Sequence, residues 1–187
     1  MPELLLDEFH QYRLDERPID GLTSTIAEAG LIRGGDPWYM TRGSAIHLAT
    51  EYFDKGTLDE DSVSDEIKGY LASWKQFRVD QNYTPTHIEL KLYDPIYLYA
   101  GTLDRLPLLD LKSGAFAKWH RIQLAGYWGL CRINNLTDHC QNPISVYLEE
   151  DGRSPKVIQY TQQDMRKSLQ DFLCLLSANR IKRELLK

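Results

Sequence analysis

Cysteine is scarce in this sequence. Three of the 187 residues are cysteines, Cys131, Cys140 and Cys174, and they lie far apart without a Cys-x-x-Cys pair. An odd number of widely spaced cysteines argues against a disulfide framework and favours a reducing compartment. We therefore expect apolar packing to stabilise the fold, and a chain of this length can bury a sizeable core in one domain.

Long apolar runs are also missing. No stretch approaches the roughly 20 residues that a membrane-spanning helix requires. Residues 1–10 carry three acids and lack the cationic start and apolar run of a secretion signal. The sequence therefore predicts a cytoplasmic protein without a membrane partner.

The chain has no excess of positive charge. It carries 22 lysines and arginines against 27 aspartates and glutamates, a formal net charge of −5. Such a balance does not predict a broad basic surface for nucleic acid. If the partner is nucleic acid, we expect it to contact a local basic strip.

The hydrophobic pattern predicts helices and strands in mixed order. Apolar residues at helical spacing predict helices over residues 20–31, 42–52, 62–79, 118–133 and 161–186. Strands are predicted over residues 86–93, 98–104, 108–113, 144–149 and 156–160. Residues 1–18 are charged and irregular, which predicts an N-terminal arm, and a loop is predicted over residues 34–37. This order favours an α+β fold, with a central mixed sheet flanked by helices in a single domain over residues 1–187.

The most informative stretch is a predicted hairpin at residues 100–114, AGTLDRLPLLDLKSG. Pro107 lies between the two strands, where its fixed φ suits a turn. A turn centred there places Asp104 opposite Asp110, and strand alternation points Asp110 and Lys112 to one face. Opposed carboxylates destabilise the pair, whereas Mg²⁺ takes oxygen ligands of this kind. The hairpin thus predicts a metal site, with a solvated surface hairpin as the alternative.

The hairpin sequence resembles the second and third motifs of the PD-(D/E)XK nuclease superfamily. It is most similar to the RecB-like and Cas4-like branch, whose third motif commonly reads Asp-x-Lys-Ser/Thr-Gly, here Asp110, Lys112, Ser113 and Gly114. The resemblance implies a restriction-endonuclease-like core over about residues 42–150 and phosphodiester hydrolysis with Mg²⁺ or Mn²⁺. Asp104, Asp110 and Lys112 would be catalytic. Many Cas4-like proteins use four cysteines for an iron–sulfur cluster. Because this chain has three cysteines and no Cys-x-x-Cys pair, we expect no cluster here.

A second match concerns the ligands of the metal. Arg42, Gly43 and His47 match an Arg-Gly-x-x-x-His element of the same nucleases. The resemblance implies that His47, Asp104, Asp110 and the main-chain carbonyl of Leu111 are ligands, and it makes Arg42 a candidate phosphate contact. It also makes Glu89 a candidate for an outer or second metal ligand. By pattern alone, His47 is more often structural or solvated, and Glu89 belongs to the solvated face of its strand.

Polar residues near the start of the helix after the hairpin are candidates for substrate binding. Gln123 and Tyr127 stand four residues apart on one helix face and match the Gln-x-x-x-Tyr motif of the RecB-like branch. The resemblance implies substrate binding by both residues and by Ser113; otherwise they are polar tips at a core edge. Lys118 and Trp119 are expected to contact phosphates or stack on a base, or else to form a solvated cluster.

Together these features predict a DNA exonuclease of recombination or repair, from a bacterium or encoded by a phage. The predicted partner is DNA with a free end, with a second copy of the chain or a recombination protein as further candidates. The alternatives are an endonuclease of the same superfamily, a non-catalytic DNA-binding subunit on a nuclease core, and a metal-binding protein without a nucleic-acid role.

Overall fold

The fold is a mixed eight-stranded sheet flanked by helices. The computed structural model describes residues 3–8, 11–32 and 36–187, and the structural statements below concern these residues. The predicted α+β architecture is confirmed. Of the loop predicted over residues 34–37, residues 34 and 35 lie outside the described residues, as do residues 1, 2, 9 and 10 of the predicted arm.

All five predicted helices and all five predicted strands correspond to observed elements. The helices are α1 (Leu22–Glu28), α2 (Pro37–Lys55), α3 (Asp65–Asp80), α4 (His120–Ile133) and α5 (Gln162–Leu185). The strands are β1 (Leu4–Leu6), β2 (Tyr12–Leu14), β3 (Arg17–Gly21), β4 (His87–Asp94), β5 (Tyr99–Leu106), β6 (Leu109–Lys112), β7 (Ile144–Tyr147) and β8 (Lys156–Gln159). Within the described ranges, every helix falls short of the length or the apolar character that crossing a bilayer requires.

The N-terminal segment is part of the sheet, and the prediction of an irregular arm is wrong. β1 and β2 pair antiparallel, β2 continues antiparallel onto β3, and β3 pairs in parallel with the start of β5. β1 and β2 have only three residues each, which is too few for an alternation of apolar and polar residues to be recognised in the sequence. Their stability depends on pairing with other strands, which local propensity does not encode.

β5 is the central strand and positions the hairpin. β4 pairs with β5 along its whole length, whereas β6 pairs with its end through Arg105 and Leu109. This register places Asp104 opposite Asp110, as the sequence predicts. β7 then pairs with β6 in parallel, and β8 completes that side of the sheet.

Two apolar clusters hold the helices on the sheet. One joins α1, α4 and α5 to β5; its members include Tyr99, Leu103, Leu124, Met165 and Phe172. The other joins α2 and α3 to β6 and β7; its members include Ile46, Trp74, Phe77, Leu109 and Leu111. The hairpin therefore lies between the two helical layers, where side chains from α2, α4 and the sheet can meet.

Candidate metal centre and active site

Asp104 and Asp110 form the centre of the site. The main-chain N–H of Leu111 donates to Asp104 Oδ2 at 2.6 Å, which fixes this carboxylate across the hairpin. Both acids are buried, with exposed fractions of 8% and 1%. Among the described residues, nothing donates a hydrogen bond to the buried Asp110 Oδ2. A buried polar atom without a partner is costly, so this oxygen is suited to a cation or a proton.

His47 and Glu89 join Asp104 in a group of three candidate ligands. Each residue offers one ligand atom, and these atoms lie within 4.8 Å of one another. His47 Nδ1 is 3.6 Å from Asp104 Oδ1, and the main chain of Leu111 also interacts with the His47 ring. Asp110 is not part of this group. Two carboxylates and an imidazole form a donor set that suits divalent cations.

Glu89 reaches this position through an unusual backbone conformation. Its φ is +51°, a left-handed value that is uncommon for residues other than glycine. Its neighbours Ile88 and Leu90 pair with Arg105 and Leu103, so Glu89 lies level with Asp104. The residue is half-buried, so the pattern-based expectation of a solvated position is wrong. Strained conformations of this kind cluster at functional sites.

The pKa values of the site reflect a concentration of buried negative charge. Burial, with the Asp104 charge as the next cause, raises the pKa of Glu89 to about 8. Burial also raises the pKa of Asp110 to about 7, and Lys112 opposes this effect. The pKa of His47 is lowered, chiefly by burial, although Asp104 opposes the change. A divalent cation can therefore replace protons that these carboxyls hold near neutral pH.

Lys112 is held beside the carboxylates by a partly buried polar network. Its Nζ donates to Asp110 Oδ1 at 2.7 Å and to Gln123 Oε1 at 2.9 Å. Gln123 Nε2 donates in turn to the hydroxyls of Thr23 at 3.1 Å and Tyr127 at 3.3 Å. The structure thus joins the predicted pair Gln123 and Tyr127 to Lys112. Thr23 was not predicted, because it lies 100 residues from Gln123 in the chain and belongs to no recognisable motif.

Arg42 packs among aromatic rings at the wall of a cavity. Its Cζ atom lies over the ring of Trp38, 4.6 Å from the ring centroid, and over the rings of Tyr39 and Tyr70, 5.2 Å from each centroid. Arg42 and Ser113 line one cavity. The aromatic rings thus position the guanidinium at the wall of this cavity.

Lys118 and Trp119 differ in exposure. Lys118 is exposed. Trp119 is half-buried, packs against the α1–α4–α5 cluster and meets the His120 ring edge-on at 4.2 Å. Lys112 Nζ lies 5.9 Å from the Trp119 ring. Trp119 therefore contributes to the surroundings of Lys112.

A buried arginine beneath the site was missed by the sequence analysis. Arg105 is fully buried; its Nε donates to Asp54 Oδ2 at 2.6 Å, and its Nη1 donates to Glu89 Oε1 at 3.2 Å. Nη1 also donates to the main-chain carbonyl of Asp104 at 2.6 Å. Arg105 thus ties α2 to the strands that carry Glu89 and Asp104. The partner Asp54, which also pairs with Arg78, lies 51 residues from Arg105 in the chain.

The Arg105–Asp54 pair is expected to be essential for stability. Arg105→Ala should lower the free energy of unfolding by about 3–5 kcal/mol, because it removes one partner of a buried ion pair. Urea denaturation of the metal-free protein measures the change. Lys68→Ala, which breaks an exposed ion pair with Asp65, should leave stability close to that of the parent. Equal midpoints for Arg105→Ala and the parent would refute this role.

No protein-family model matches the chain, and comparison with curated proteins gives no match either. The assignment of function accordingly depends on the residues of the site.

Proposed function

We propose that this protein is a Mg²⁺- or Mn²⁺-dependent nuclease that hydrolyses DNA from its ends, in recombination or repair. One juxtaposition supports the proposal. His47, Glu89 and Asp104 lie within 4.8 Å of one another, and the neighbouring strand carries Asp110 in contact with Lys112. The acids suit a hard divalent cation, and the lysine suits a phosphate.

The residues present fit a metal ion. His47, Glu89 and Asp104 would hold it, with Asp110 and the main-chain carbonyl of Leu111 as further ligands. Asp110 Oδ2, buried and without a donor within the described ranges, is suited to accept a cation. When bound, a divalent ion lowers the pKa of water and stabilises negative charge on a phosphate.

Lys112 contributes a positioned positive charge. An ammonium group has three donors, and Asp110 and Gln123 accept two of them. The third donor remains for a phosphate oxygen or an attacking water. The lysine side chain is 14% exposed, and an interaction with little water around it is stronger than one in bulk solvent. Lys112 would thus stabilise charge that develops on the phosphate.

The network around Gln123 orients Lys112 before substrate arrives. Gln123 uses its oxygen for Lys112 and its nitrogen for Thr23 and Tyr127. Burial raises the pKa of Tyr127 well above its usual value, so its phenol remains neutral. Since catalytic groups held in the reactive geometry need no reordering, this network favours a catalytic role over DNA binding alone.

Two cavities near the proposed catalytic residues favour action at DNA ends. One is lined by Arg42 and Ser113, and the other by Thr23, Glu89 and Tyr127. Their volumes are about 410 Å³ and 440 Å³, which is the scale of sites for small ligands. Together with the net charge of −5, these volumes favour threading of one strand over gripping of a long duplex.

Linear DNA should be degraded with Mg²⁺ or Mn²⁺, and covalently closed circles should persist. The measurement compares end-labelled linear DNA with closed single-stranded and duplex circles, in either metal and in a chelator. Degradation of circles at the rate of linear DNA would establish an endonuclease. DNA binding without cleavage in any metal would indicate a non-catalytic subunit. Metal binding without DNA binding would exclude both the nuclease and the DNA-binding subunit.

A further inference from the structure

The cavity lined by Arg42 and Ser113 also contains residues that the proposed chemistry does not use. It lies against the loop between β6 and α4, starting at Ser113, the residue after Lys112. Tyr147, which lines it, is the register partner of Lys112 on β7. The cavity is therefore bordered by the chain neighbour and the cross-strand neighbour of Lys112.

One wall of the cavity is aromatic. Phe116 is 51% exposed, and its ring centroid lies 6.0 Å from that of Tyr147. The Tyr147 hydroxyl and His120 Nδ1 are 2.9 Å apart and share a hydrogen bond, so Tyr147 is a fixed support behind Phe116. Phe116 thus presents a half-exposed ring to the cavity.

The charges of the cavity are mixed. Arg42 and Lys156 line it together with Glu149 and Glu150. Two acids disfavour a bare phosphate as the occupant. A nucleobase carries no charge, has a face that stacks on aromatic rings and has edges with both donors and acceptors. The lining therefore suits a base better than a phosphate.

We propose that this cavity is a nucleobase subsite, in which the base adjoining the scissile phosphate stacks on Phe116. Arg42 and Lys156, at the cavity wall, would contact the backbone of the same nucleotide. This inference rests on the proposed nuclease function. A base can enter the cavity only after it leaves its neighbours in the helix, which costs least when it is unpaired. The subsite therefore selects single strands or frayed ends.

An abasic scan tests the subsite. A set of single-stranded oligonucleotides carries one abasic residue at successive positions around a defined terminal bond. Binding is measured by fluorescence anisotropy with Ca²⁺, and cleavage is measured separately with Mg²⁺. At one position, loss of the base should weaken binding to the parent protein about tenfold, within the range of base–aromatic stacking. Phe116→Ala should bind intact DNA about tenfold more weakly and be insensitive to the abasic residue at that position.

Two variants complete the test. Phe116→Trp restores a stacking ring and should regain the affinity and the position-dependent loss. Tyr97→Ala removes a similarly exposed ring, 47% exposed, from a different cavity and should behave as the parent. The subsite would be overturned if the parent cleaves DNA but binds equally well whichever position is abasic, and if Phe116→Ala binds as the parent does. The nuclease function would remain. Absence of DNA binding by the parent would overturn both.

Discussion

Lys112→Ala is expected to lower the turnover of DNA cleavage by about 100-fold or more, with little change in metal or DNA affinity. Loss of one donor to developing negative charge typically costs this much. The lysine is expected to act on the transition state, so the loss should appear in kcat rather than in binding. Single-turnover cleavage, calorimetry with Mn²⁺ and DNA binding with Ca²⁺ separate the three quantities.

The matched control for this variant is Lys91→Ala. Lys91 is an exposed lysine on β4 with the same charge, and its removal should leave turnover at the parent value. Lys112→Ala also leaves Asp110 without its ammonium partner, whose charge and hydrogen bond lower the pKa of this buried carboxyl. Metal affinity is therefore measured at pH 8 as well as at pH 7. Cleavage by Lys112→Ala at the parent rate would show that the lysine is not catalytic.

The fold was predictable where local pattern and local pairing coincide. The alternation in β4 and the turn at Pro107 sufficed to predict the strands and the register of Asp104 against Asp110. β1 to β3 were not predictable, because they are short and join the sheet through pairs such as Asp20 with Tyr99, distant in sequence. Their energy comes from pairing and burial rather than from a sequence period.

The site was predictable where one motif carries several of its residues. Asp110 and Lys112 are two residues apart, so strand alternation alone places them together. Arg105 directly follows Asp104 in the sequence, but its role could not be predicted because it depends on Asp54 from another element. Glu89 could not be placed by alternation, because its left-handed backbone departs from regular strand geometry. Long-range ion pairs and local strain leave no periodic signal in a sequence.

Asp104→Asn is expected to weaken divalent metal binding by about 100-fold or more. Even the loss of a group that only orients a ligand costs 10- to 100-fold, and Asp104 is a member of the ligand group itself. The amide oxygen of asparagine can still accept the Leu111 N–H that holds the hairpin. The variant therefore removes charge while it keeps the fold. Calorimetry with Mg²⁺ and Mn²⁺ measures the affinity, and urea denaturation checks that stability is retained.

Asp94→Asn is the matched control for Asp104→Asn. Asp94 is as buried as Asp104, with 6% against 8% exposed, and it accepts the main-chain N–H groups of Ile96 and Tyr97 in a turn. Its variant should bind metal as the parent does. Asp104→Asn should lose metal binding and turnover together, whereas Lys112→Ala should lose turnover alone. Unchanged metal affinity in a folded Asp104→Asn protein would refute the proposed metal site. Phosphodiester hydrolysis assisted by Lys112 would then lack the cation that the proposed chemistry requires.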